Sequence, residues 1–177
     1  MRSGARIDIR NPRLDLIRAT DIAESLAKLP MYRGATWGFY SVAQHSTLVA
    51  TEVSREEGPL AGLYALLHQA DDAFGCLATA EFSAILHGAF DLDWPCPRDT
   101  ARAFAYVHSC VEMTELRQLC TGREDEVAAH EKLEARPLRG MIKPLAWDRA
   151  MDRYIEALKV YAVAAQLHRI PALGDEL

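Results

Sequence analysis

Apolar residues return every three or four positions in several separate stretches, and this period points to amphipathic helices rather than strands. Leu60, Leu63, Leu66 and Leu67 mark one such face. Phe104, Val107 and Val111 mark a second, and Met151, Tyr154, Ile155, Leu158 and Tyr161 a third. Stop and start signals divide the chain between them. Asp21 with Glu24, and Ser41 with Gln44, have the spacing of capping boxes, in which a side-chain oxygen takes up a free N–H of the first turn. They predict a helix from Asp21 to near Pro30 and another from Ser41 to about Glu56. A third helix follows Gly58-Pro59, with Gly75 placed to end it. A short helix is expected from Ala78 to His87, then a polar link from Asp93-Trp94-Pro95 to Pro97. Three more are expected, at about Asp99–Cys120, Glu124–Arg136 and Leu145–His168. The residue before Pro137 is biased away from helical geometry, which sets the end of the second of these.

The class read from this pattern is all-α, with six or seven helices in a single domain over residues 1–177. That length suits one core. Residues 1–20 form an N-terminal arm, in which Ile7 to Asn11-Pro12 alternates apolar and polar residues as a short strand or extended segment does. The stretch Met31–Tyr40, with two glycines and several aromatic residues, reads as a loop. The last helix is apolar around much of its girth, carrying Val160, Tyr161 and Val163 beyond its main face. Such a helix is covered on more than one side, either by a homodimer partner or by its own core.

A net charge of −5 argues against a duplex nucleic-acid partner, since phosphate contacts need a basic face. Cys76, Cys96, Cys110 and Cys120 form no C-x-x-C pair, so neither a zinc knuckle nor a disulfide framework is read from them. The N-terminal residues lack the apolar run of a secretory signal, and no stretch approaches the roughly 20 apolar residues that span a bilayer. Free thiols in the cytoplasm, with no membrane partner, are the expectation.

The residues with chemistry to offer are His45, His68, Gln69, Asp72 and His130. If one helix carries both His68 and Asp72, four apart, they share a face. His45 lies near the start of the preceding helix, and a short connection makes those helices neighbours. Imidazoles and carboxylates converging from two helices are a metal-ligand set. His87, His108 and His168 read as ordinary surface or core histidines.

The run Tyr40-Ser41-Val42-Ala43-Gln44-His45-Ser46, followed by Ala65-Leu66-Leu67-His68, resembles the HD-type metal-dependent phosphohydrolase superfamily, and within it hydrolases similar to bacterial 5′-deoxynucleotidases. The likeness extends from Asp21-Ile22-Ala23 upstream to Glu134-Ala135-Arg136 downstream, roughly residues 3 to 140. It implies a helical bundle in which a histidine, a His-Asp pair and a later aspartate hold a divalent metal. An acidic residue one turn after the pair then assists attack of water on a phosphate ester. His45 and His68 match the two histidines. Gln69 stands in place of the paired aspartate, Asp72 in place of a catalytic glutamate, and His130 in place of the late aspartate.

In the loop, Met31 stands for a family arginine and Ala35 for a family histidine, while Trp37 keeps a position set against the nucleotide. Gln69 offers only a neutral carbonyl oxygen, so the ligand set His45, His68, Gln69 and His130 favours Zn over Mn, Co or Mg. Two readings follow from the resemblance. One is a phosphohydrolase acting on a nucleotide or other small phosphorylated ligand, with Asp72 catalytic and Trp37 against the substrate. The other is a catalytically inactive HD-domain protein, with or without metal, that binds a ligand or a protein partner.

Overall fold

The computed structural model describes residues 3–8, 11–75, 79–167 and 172. Their regular structure is seven α-helices: α1 (Ala19–Lys28), α2 (Val42–Glu57), α3 (Pro59–Leu66), α4 (Ala80–Gly88), α5 (Arg98–Leu119), α6 (Glu124–Lys132) and α7 (Trp147–Ala164). Short 3-10 turns at Leu14–Leu16, Met31–Gly34 and Ala70–Phe74 join some of them. The all-α reading therefore holds. The N-terminal segment has no strand among its described residues, and the sole β pairing among them is an isolated antiparallel bridge between Pro30 and Ser41. Ile9, Arg10, Cys76, Ala78 and His168, each part of an expectation above, lie outside the described residues.

Helix α2 begins as its sequence dictates: the Ser41 hydroxyl accepts the Gln44 N–H at 3.2 Å. The Gln44 side chain does not complete the box. It reaches across to Lys143 and Leu145 in a later segment, accepting from one backbone N–H and donating to one carbonyl. Gly58, at φ 88°, turns the chain, and Pro59 opens α3 at the position where a missing N–H costs nothing. Helices α2 and α3 then approach so closely that a Cβ on Gly62 would lie 2.6 Å from Ser54 Cβ and 3.2 Å from the Ala50 carbonyl oxygen. Only glycine permits that approach, and it sets His45 on α2 opposite the end of α3.

Three expected boundaries move, each for a visible reason. Helix α1 starts at Ala19 because Asp21 is not a cap: its buried carboxylate accepts the Ser3 N–H at 2.8 Å and the Ser3 hydroxyl at 2.5 Å, tethering the N-terminal arm. Helix α3 stops at Leu66, where the Leu67 N–H is shared between the Leu63 and Tyr64 carbonyls. Gly75, left-handed at φ 65°, ends the 3-10 turn that follows rather than the α-helix. Helix α6 stops at Lys132, and Glu134 turns the chain with φ 59°.

Ile22, Leu26, Val49, Val53, Leu63, Leu66, Tyr154 and Leu158 are fully buried in one core shared by α1, α2, α3 and α7. Each such Leu, Ile or Val contributes about 1.5–3 kcal/mol by leaving water. Tyr154 adds a buried hydrogen bond from its hydroxyl to the Leu66 carbonyl, 3.0 Å, which ties α7 to the last turn of α3. Among the described residues, only one side of α7 is covered. Ala150, Tyr154, Leu158 and Ala162 face the core, whereas Trp147, Val160 and Val163 are exposed. No helix of the described residues is long and apolar enough to cross a membrane.

A candidate metal centre of three histidines

Helix α2 buries His45 on its core face, the turn after α3 presents His68, and the middle of α5 presents His108. Their ring centroids are 5.0–5.2 Å apart, and one ring nitrogen of each lies within 4.8 Å of the others. This group could hold a metal ion. Phe104, one turn before His108, packs 5.1 Å from His68 and 5.2 Å from His108 and walls one side.

The second nitrogen of each ring already has a partner. His45 Nδ1 sits 2.8 and 3.0 Å from the two oxygens of Glu115. His68 Nδ1 donates to the Ala65 carbonyl at 2.7 Å. His108 Nδ1 is 3.3 Å from Glu112 Oε2. An oxygen acceptor at Nδ1 places the proton there and leaves Nε2 as a lone pair, the arrangement that orients metal-binding histidines. The His45 and His108 Nε2 atoms face each other at 3.2 Å, and His68 Nε2 is buried with no hydrogen-bond partner. Two lone pairs at that distance repel unless a proton or a cation lies between them, and a buried acceptor without a donor is costly. Gln69 Oε1, next in the chain, is likewise buried without a partner.

Glu115 organises the shell behind His45. It is wholly buried, and it accepts the Tyr40 hydroxyl at 2.6 Å and the Tyr32 hydroxyl at 2.5 Å as well as His45. Burial, and then the charge of Glu115, push both tyrosines far above the usual phenol range, so they remain donors. Tyr32 reaches α5 because the chain makes consecutive left-handed residues at Tyr32, Arg33 and Gly34. Such φ values are unfavourable for the first two and persist where surrounding contacts over-determine them. The antiparallel bridge closes this loop, with Met31 N–H to Tyr40 O at 2.8 Å and Val42 N–H to Leu29 O at 2.9 Å.

The residues expected at the site are therefore only partly brought together. His45 and His68 meet as anticipated. The third histidine is His108, which its isolated sequence setting had made ordinary. His130 is not in the triad: its Nδ1 is 2.7 Å from the Ser109 hydroxyl, and its Nε2 is 3.8 Å from Glu112 Oε2, behind His108. Asp72 is exposed, because α3 ends before His68 and the two residues do not share a helix face. Trp37 is 68% exposed, its indole N–H held by the Gln118 carbonyl at 2.8 Å. Met31 packs in the core and Ala35 is exposed. The signal for His108 was present as the pattern His108, Glu112, Glu115, which falls on one face of one helix.

A cavity of about 570 Å³ lies beside His68 and Phe104, with Tyr64, Asp71, His87 and Trp94 in its wall. His87 stacks on Tyr64 and lies 4.5 Å from Trp94, with Nδ1 donating to the Ser83 carbonyl. Burial raises the Asp71 carboxyl above the usual range. Among the described residues, no lysine or arginine lines this cavity.

Burial, followed by the neighbouring His45 and His108, holds His68 well below the usual imidazole range; burial alone lowers His87. Both are therefore neutral in the folded state where the unfolded chain, with histidine near about 6.5, begins to take up protons. The unfolded state then binds more protons, so stability is full above about pH 6.5 and falls as the pH drops below it. Urea denaturation of metal-free protein should give midpoints that decline from about pH 7.5 through 6.0 to 5.0, as the two histidines titrate in the unfolded state. Replacing His87 by asparagine should reduce that decline. Midpoints independent of pH across this window would contradict the neutral buried imidazoles.

Comparison with protein-family models gives no match for this chain, and comparison with curated proteins gives none either.

Proposed function

We propose that the protein is an HD-type, metal-dependent phosphohydrolase-like protein acting on a nucleotide or other small phosphate ester. The observation that carries this reading is the convergence of His45, His68 and His108, each with Nδ1 turned to an oxygen acceptor and none with a donor between them. The donor set is all nitrogen, which suits zinc better than Mn, Co or Mg. A divalent ion there would supply a Lewis acid for water and phosphoryl oxygen. The chain's own residues do the remaining work. Glu115, the Ala65 carbonyl and Glu112 fix the three imidazoles in one tautomer. Phe104 excludes water from one side. The cavity beside His68 receives the body of the substrate, and Asp71, not Asp72, is the carboxylate in its wall.

A second reading, a non-catalytic HD-fold protein that keeps a metal or a ligand, draws support from one specific feature. The cavity beside the triad offers no arginine or lysine of the described residues to a phosphate, whereas phosphoryl transfer is ordinarily stabilised by such groups. Two measurements separate the readings. Elemental analysis of protein purified without chelator should find close to one zinc per chain. A panel of nucleoside mono- and triphosphates, assayed with Zn, Mn and Co, should then release phosphate at a rate that His68→Ala abolishes. Metal without turnover leaves the binding protein; neither metal nor turnover removes the hydrolase and leaves only a metal-free form of the second reading.

A further inference from the structure

A second cavity, of about 700 Å³, opens between α2, the segment 138–145 and the start of α7. Its rim carries Arg55, Arg139, Lys143 and Arg153, with Glu52 as the one acid among the described residues. Arg55 donates to Glu52 at 2.5 Å, and that pair is neutral. Arg139, Lys143 and Arg153 make no ion pair with any described acid. Three uncompensated cations around one depression reverse the average of a chain whose net charge is −5. They also repel one another, a cost that an anion between them removes.

The cationic segment is irregular yet firmly held. Leu138 N–H donates to Thr114 Oγ1 at 2.8 Å, Ile142 N–H to Gln118 Oε1 at 2.7 Å and Leu145 N–H to Gln44 Oε1 at 2.9 Å. The same two amides donate in return, Gln118 Nε2 to the Gly140 carbonyl at 2.9 Å and Gln44 Nε2 to the Lys143 carbonyl at 2.8 Å. Side chains from α2 and α5 thus fix the backbone that bears Arg139 and Lys143, facing Arg153 on α7. The floor is apolar, from Leu48, Ile142 and Leu145. A concave apolar floor with a few convergent charges is the usual form of a small-molecule site, and the volume is within the usual range.

We infer that this groove binds an organic polyphosphate of about three to four negative charges, with an apolar or aromatic body against the floor. Three cations match that charge, and two of them are arginines, whose planar fork grips phosphate oxygens in pairs. The groove is separate from the histidine centre. Gln44, Thr47, Leu48, Thr51 and Arg55 form its side of α2, whereas His45, Val49 and Val53 of the same helix are buried in the core. None of the three histidines lines it.

Calorimetric titration of the full chain, in chelator, with ATP and with inorganic tripolyphosphate tests this. ATP should bind saturably and one to one, more tightly than tripolyphosphate, and less tightly as salt rises. The double variant Arg139→Gln with Lys143→Gln, and separately Arg153→Gln, should weaken ATP at least about tenfold with unchanged circular dichroism. His68→Ala should leave ATP binding as it was. No saturable heat up to about 1 mM ATP overturns the site. So does affinity that ignores the arginine and lysine changes, or that disappears in His68→Ala, since the ligand would then sit at the histidines. Equal affinity for both probes removes the apolar body from the ligand class.

Discussion

Replacing Glu115 by leucine should lower stability by about 3–5 kcal/mol, because it strips two buried donors and one half-buried donor of their shared acceptor at a single stroke. Tyr32, Tyr40 and His45 all point at that carboxylate, and it is wholly buried. Urea denaturation is the measurement. The same substitution made in a Tyr32→Phe, Tyr40→Phe background should cost distinctly less, since two of the stranded hydroxyls are then gone. Equal losses in both backgrounds, or a loss below about 1 kcal/mol, would show that Glu115 is not the hub described. Glu115→Gln separates folding from orientation. It keeps the volume and one acceptor oxygen, so it should fold, yet it no longer gives His45 a carboxylate. Metal affinity should fall about 10–100-fold, as loss of an outer-shell partner of a histidine ligand typically does.

Which parts of this arrangement were legible in the sequence follows from the range of the interactions that make them. Ser41 caps α2 through a residue three positions away, and the helix starts where its sequence places it. Pro59 and Gly58 act just as locally. The end of α3 was not legible. Leu67 and Ala70 are as buried as Leu63 and Leu66, so the apolar pattern runs on although the backbone changes from α-helix to turn. That change moves Asp72 off the face of His68. The Asp21 pattern misled for the opposite reason: a residue with the look of a cap is used for a contact 18 positions away.

The centre was half legible. His45 and His68 stood out by their flanking blocks, but the shell that orients His45 joins residues 70, 75 and 83 positions apart. Nothing local announces such contacts. His108 and His130 compete for the third place, and the one sequence signal for the former, Glu112 and Glu115 on its helix face, does not by itself say that the face meets α2. Packing decides between them. Helix α5 runs past α2 and carries His108 to its inner side, whereas His130, on α6, meets α5 at Ser109. Glu112 lies between the two histidines, nearer His108 at 3.3 Å than His130 at 3.8 Å, and its carboxyl stays below the usual range. Burial would raise it, but the hydrogen bond from His108 and the nearby His45 and His130 rings outweigh burial.

His108→Ala should therefore abolish metal binding, while His130→Ala should leave it within a few-fold of the unaltered chain. Both variants should fold, since His108 and His130 are each partly exposed at the edge of the core. Thermal or urea unfolding with and without zinc reads the difference. A ligand bound only by the folded state adds about 2.7 kcal/mol at one hundred times its dissociation constant, so the unaltered chain and His130→Ala should both gain on that scale. His108→Ala should gain nothing, because two imidazoles leave the ion without its third nitrogen. The comparison also decides what lies between the facing Nε2 atoms of His45 and His108. If a shared proton rather than a metal relieves their repulsion, zinc adds no stability to any of the three proteins. The centre would then be a hydrogen-bonded histidine cluster, and the hydrolase reading would fall with it. If zinc stabilises the unaltered chain and His108→Ala equally, the ion sits elsewhere, and the convergence of the three rings is a feature of packing alone.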